Sequence, residues 1–424
     1  MNRLLISIIS IAALLPAALA SGAELPRRAT LIDGESFVGR LRGIDRDWNL
    51  TFDIGDHLRV LATADLVYWG GLADRERGTQ ILLADGGVLV ADVLGITGEH
   101  LIAESYTPDS DLFWGEVKLP LEVVRGIILR PPAVPLRRDL LAAQVVTARG
   151  DEDQLLLDNG DVLSGTLDTS SGEMAEDKAR LTFYGLQEVR LKTKAGVIPI
   201  SIEKIVALIF NPALVHTAKP QSRPTRMGFR DGSCFDVIRV GASGGRVQLT
   251  LAIGAQLETN AANLWAETSM LQPLSDGVVY LPDIKPVGYK HIPFLELNWP
   301  YRDDHNVLGG RLRTGGLIYG KGLGMHSTSR LAYQTDRRYR KFEAELALDD
   351  SAGRRGSVEF RVFLESGAGQ WQPAYSSPVI RGADQPLPIS IDISSATRIA
   401  LIVDFSDRGD ELDHANWLNA RLIK

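Results

Sequence analysis

Cysteine is nearly missing from this 424-residue chain: Cys234 is the single one. No intramolecular disulfide can form, so stability has to come from packed cores. Cys234 stands in "DGSCFDV" where comparable segments place Ser36, Val88 and Val162, a position for a small packed side chain rather than a nucleophile. An excess of positive charge is also missing. The 46 Lys and Arg against 53 Asp and Glu leave a net charge of −7, which argues against a nucleic-acid partner. Beyond the first twenty residues no run is long and apolar enough to span a bilayer. The seven histidines are scattered, with no H-E-x-x-H pair for zinc, and no P-loop occurs. Helical periodicity is scarce too, which points to β structure.

What is present begins with "MNRLLISIISIAALLPAALA". Arg3 followed by the apolar stretch Leu4 to Leu15 and the small-x-small step Ala18-Leu19-Ala20 reads as a cleaved signal peptide over residues 1–20. The expected location is therefore secreted, periplasmic or in the cell envelope.

Four segments then share one pattern: "TLIDGESFVGRLRGI", "ILLADGGVLVADVLGI", "LLLDNGDVLSGTLDT" and "MGFRDGSCFDVIRV". Each puts an Asp-Gly or Asn-Gly step between two apolar runs, and that dipeptide suits a type I′ hairpin turn. A third strand follows each ("NLTFDI", "HLIAES", "RLTFYG", "VQLTLAI"), then a fourth, a short polar step and a last apolar strand. Five strands with a one-turn step before the last describe small SH3-like or Sm-like barrels, repeated in tandem. The expected units are 25–71, 78–131, 154–213 and 223–274, the last with the faintest pattern; 132–153 is a proline-led linker with a short helix.

From Asp276 the composition changes. "KFEAELAL", "SVEFRVFL", "ISIDIS" and "RIALIVDF" alternate with Gly- and Asp-rich turns, the pattern of an antiparallel sandwich. The fold class is therefore all-β: tandem small barrels, then a C-terminal jelly-roll sandwich over 276–424. Its motifs carry a family resemblance. Gly309-Gly310, the run Tyr319 to Ser327, Phe342-Glu343-Ala344, Leu348-Asp349-Asp350, Gly356 to Val362 and Asp413 to Ala420 resemble, in order and spacing, the NPCBM module of family 98 glycoside hydrolases, related to carbohydrate-binding family 51. The family's closing motif commonly has Asp where this chain has Asn416 and Asn419, which removes two carboxylates from that region.

The resemblance implies a non-catalytic, sugar-binding sandwich. Sugar recognition needs an aromatic face against C–H patches and planar polar groups for hydroxyls. Trp417 is a candidate for the face, Asp413, His414, Asn416 and His326 for the grip, and Trp299 is a further aromatic candidate, ahead of Tyr301 and Trp371. The alternative is that Trp417 packs in the last strand while Asp413 and His414 lock the loop. Asp349, Asp350, Asp407 and Asp410 are candidate oxygen ligands for a structural Ca²⁺. Three functions stay open: a glycan-binding protein with the repeats as spacer or partner surface, a cell-envelope assembly protein whose domains bind proteins, and a glycosidase of unfamiliar type. The repeats and sandwich leave no segment for a barrel-sized catalytic domain.

Overall fold

The four Asp-Gly or Asn-Gly steps do turn their strands back, through a different turn from the one the dipeptide suggests. Only the glycine has positive φ: +97° at Gly34, +86° at Gly86, +90° at Gly160 and +93° at Gly232. Each of these glycines donates its N–H to the carbonyl three residues earlier, Gly34 to Leu31 at 3.0 Å for instance. This is a type I turn closed by a left-handed glycine, not type I′. The residue before the glycine serves through its side chain. Asp33, Asp85, Asn159 and Asp231 each accept the backbone N–H two residues on, which explains Asp or Asn without any demand for left-handed backbone.

The computed structural model describes residues 27–424 except 75–77, 106–113, 170–180, 183–186, 217–221, 295 and 368. The signal peptide expected at 1–20 lies outside the described residues, among which no helix is long and apolar enough to cross a membrane. The described residues are all-β apart from two helices, Pro135–Thr147 and Ala261–Glu267, and short 3₁₀ turns.

In the first unit Arg27–Leu31, Ser36–Ile44, Asn49–Ile54 and His57–Ala62 form a meander. A 3₁₀ turn at Thr63–Asp65 follows, and Leu66–Gly70 returns to pair with Arg27–Leu31. The fourth unit closes the same way, Thr268–Pro273 on Thr225–Phe229, with the helix Ala261–Glu267 replacing the 3₁₀ turn. The third departs from expectation. Its meander strand is Glu188–Thr193, paired with Val162–Leu167. Of "RLTFYG" only Leu181–Thr182 is described as strand, and it pairs with Asp92–Ile96 of the second unit.

The units are fused in pairs through their last strands. Leu66–Gly70 pairs with Thr268–Pro273, and Val124–Ile128 with Ile205–Ile209. Each junction contains a glycine where backbones nearly touch. A Cβ on Gly70 would lie 2.0 Å from the Ser269 carbonyl oxygen, and one on Gly126 would lie 2.4 Å from that of Leu208. A β-bridge, Cys234 with Val88, and a hydrogen bond from the Val90 N–H to Ser233 Oγ join the fourth unit to the second. One continuous apolar core runs through all four units.

The sandwich packs two antiparallel sheets. One contains Gly322–His326, His414–Ile423, Lys341–Leu348 and Leu387–Asp392; the other contains Gly288–His291, Ser329–Gln334, Arg398–Phe405, Ser357–Glu365 and Trp371–Ser376. Its docking on the barrels is intimate. Leu317–Tyr319 of the sandwich adds a strand to Leu72–Ala73. The helix Pro135–Thr147, expected as part of a linker, lies at the same junction. Its Asp139 accepts from Arg311 and Arg313, while Asp74 accepts from Arg138 and Arg313, each at 2.7 Å. Except for the half-exposed Arg311, these side chains are almost fully buried. Burial opposes ionisation of Asp74 and Asp139, but the arginines outweigh it and hold both carboxyls below their usual range.

Candidate functional site

Three loops meet at one end of the sandwich: residues 292–294 with 296–301, the turn at 327–328, and 406–413. The end of Gly322–His326 and the start of His414–Ile423 are paired so that His326 lies opposite His414. Of the six candidate residues, this end brings Trp299, His326 and His414 together. The Trp299 and His326 rings stack at 4.6 Å and 7°, and the His414 ring lies 6.0 Å from His326 and 6.3 Å from Trp299.

The protonation pattern follows from the partners. Ser351 Oγ gives its only proton to Asp349 Oδ1 at 2.6 Å, so at 2.9 Å from His414 Nδ1 it can only accept. His414 is therefore protonated on Nδ1 and presents Nε2 as an acceptor. His326 likewise donates from Nδ1, to the Ser327 carbonyl at 3.0 Å, and also keeps Nε2 as an acceptor. Burial lowers both imidazoles below their ordinary value, His414 to about 4, so both are neutral near pH 7. A third histidine, His291, is fully engaged. Nε2 donates to the same Ser327 carbonyl at 3.1 Å, and Nδ1 accepts the backbone N–H of Trp299 at 3.2 Å. It therefore fixes the tryptophan rather than facing a ligand.

His326 and His414 are themselves 3% and 5% exposed, and the other three candidates are fully buried. Trp417 is 0% exposed and packs edge-on to Phe360 at 5.0 Å, with Phe342 at 6.1 Å. It offers no face to a sugar, because the strand carrying it runs through the middle of its sheet. Asp413, also 0% exposed, accepts from Ser327 Oγ at 2.6 Å and from the Ser357 N–H at 3.0 Å. It ties the 327–328 turn to the opposite sheet. Asn416 gives its amide to Asp349 at 2.9 Å. None of these three offers a side chain to solvent.

Three of the four carboxylates proposed for Ca²⁺ have protein partners. Asp349 accepts from Asn306, Ser351, Asn416 and the Arg313 N–H. Asp350 accepts the N–H groups of Gly315 and Gly316, and Asp407 pairs with Arg381 at 2.6 Å. Among the described residues no group of three or more His, Cys, Asp or Glu side chains is placed to hold a metal.

Two exposed aromatic rings stand beside these loops. Phe294 and Phe405 are 59% and 47% exposed, with rings 6.0 Å apart. The signal for Phe294 was present in "HIPFLELNWP", an apolar loop with no alternation to bury it; nothing in the linear sequence ties His291 to Trp299.

Residues 279–423 match the NPCBM/NEW2 domain model. A Renibacterium salmoninarum protein named "Putative endo-alpha-N-acetylgalactosaminidase" is 29% identical over 115 residues, 27% of this chain and 7% of that protein, so the match spans a small part of that relative. Among solved structures, a CBM51 module of Clostridium perfringens GH95, in complex with methyl-galactose, is 21% identical over 34% of this chain and 99% of that one, with TM-score 0.30. The tandem CBM51 modules of a Streptococcus pneumoniae family 98 glycoside hydrolase are 12% identical over 64% and 87%, with TM-score 0.30. The C-terminal sandwich of this chain, residues 279–423, is an NPCBM/NEW2 domain.

Proposed function

We propose that the protein binds the exposed end of a glycan at the loop end of its sandwich and does so without cleaving it. The observation behind this reading is the half-exposed Trp299 locked on His326 beside the Nε2 acceptors of His326 and His414. An aromatic face suits the C–H patch of a pyranose ring, and two neutral acceptors suit its hydroxyl donors. The family match supports the ligand class. The barrels hold the sandwich rather than spacing it away, since the two share a strand pairing and a buried ion network. The protein acts outside the cytoplasm, as its N-terminal residues suggest.

A glycan array probed with the full chain and with Trp299→Ala tests this. Binding to a defined sugar, reduced at least tenfold in the variant, is the expected result. A folded full chain that binds nothing on the array would reject it, as would binding that Trp299→Ala leaves intact.

A further inference from the structure

The outer face of the second sheet has a feature that the loop site does not use. A groove of about 590 Å³ crosses it, within the roughly 300–1,000 Å³ typical of ligand clefts. Its floor is a row of small residues in register, Gly288 beside Ala332 and Ala332 beside Ala400, continued by Phe363. Trp371, 37% exposed, stands at one side with the Arg398 guanidinium 5.4 Å from its ring centre.

The adjacent row is basic. Lys290 is paired directly with Arg330, Arg330 with Ile402, and Ile402 with Arg361. Arg361 is offset by Asp404 and Glu359, each at 3.1 Å. Among the described residues Lys290 and Arg330 form no ion pair, and both are exposed. Like charges directly opposite one another destabilise a sheet, and this chain is acidic overall. A ligand with negative charge would remove that cost.

We infer that this groove is a second glycan-binding surface, which takes an internal stretch of an acidic polysaccharide of the uronate class. The open trough accepts a chain passing through, where the loop site accepts an end. Sugar rings lie on the small-residue floor against Phe363 and Trp371, and carboxylates meet Lys290 and Arg330. The inference rests on the reading of the sandwich as a carbohydrate-binding domain, but not on the loop site.

Affinity electrophoresis of the full chain through gels containing polygalacturonate, hyaluronate or carboxyl-reduced polygalacturonate tests it, with Trp371→Ala, Arg330→Glu and Trp299→Ala compared. The expected result is retardation by at least one acidic polymer, weakened by salt, absent with the carboxyl-reduced polymer, at least tenfold weaker in Trp371→Ala and Arg330→Glu, and unchanged in Trp299→Ala. No retardation by either acidic polymer would overturn the groove while leaving array binding at the loop site untouched. Retardation that both groove variants retain, that only Trp299→Ala loses, or that the carboxyl-reduced polymer reproduces would overturn it too.

Discussion

Asp413 and His414 are neighbours whose titrations act on stability with opposite signs. Burial raises the Asp413 carboxyl from 3.8 to about 6. The folded chain then holds that proton more tightly than the unfolded one, so its contribution to stability is lost as pH rises from about 4 to about 6. Burial lowers His414 from 6.5 to about 4. Here the unfolded chain takes the proton first, so stability is lost as pH falls from about 6.5 to about 4. In the shared window the two slopes oppose each other. Asp413→Asn should therefore make the protein steadily weaker towards acid, and His414→Gln should make it steadily stronger. Urea melts at intervals from pH 4 to 6.5 check this, and equal slopes in both variants would refute the assignment. Trp417→Ala should cost about 3–5 kcal/mol by emptying a core position, measurable by the same melts. The sequence placed Trp417, His414 and Asp413 side by side but could not tell surface from interior. Simple alternation fails there because His414–Ile423 is buried along its whole length. Ala415, Trp417, Ala420 and Leu422 face the sandwich core. Leu418 packs with Leu312, Arg421 pairs with Glu343, and Ile423 meets Val67 of the first barrel. A strand covered on both faces shows no period of two.

At the scale of elements, the hairpins were readable because Asp-Gly and Asn-Gly recur, and the turn type was not, because the same dipeptide serves two turns with different φ before the glycine. The fusion of barrels in pairs was not readable either. Its marks are Gly70 and Gly126, which look in the sequence like ordinary turn glycines. Gly70→Ala should destabilise by about 1–3 kcal/mol, since it adds a clash with Ser269 to a positive φ of 75°. Gly55→Ala is the comparison, with φ of 73° but no atom within 4 Å of a Cβ. Thermal melts should show the larger loss at Gly70; equal losses would mean that strain alone, and not the close approach between barrels, is responsible.

Across the whole molecule, the sandwich and barrels are coupled by groups far apart in sequence: Asp74, Asp139 and Arg313. No local pattern announces such a network, and the segment holding Asp139 reads from sequence as a linker. Removing one member of a buried ionic cluster leaves the others uncompensated, at a cost of about 3–5 kcal/mol. Arg313→Ala should therefore divide the calorimetric unfolding of the full chain into two transitions, one for each part; one undivided transition at the original temperature would show that the network does not couple them. Rigid docking also fixes the direction in which the Trp299 end is presented. The most direct test of that end as a binding site is a crystal structure of the full chain with the best sugar from the array. A pyranose ring should lie against Trp299 with hydroxyls within hydrogen-bond distance of Nε2 of His414 and His326. A sugar bound elsewhere on the molecule, with the Trp299 end empty, would contradict it.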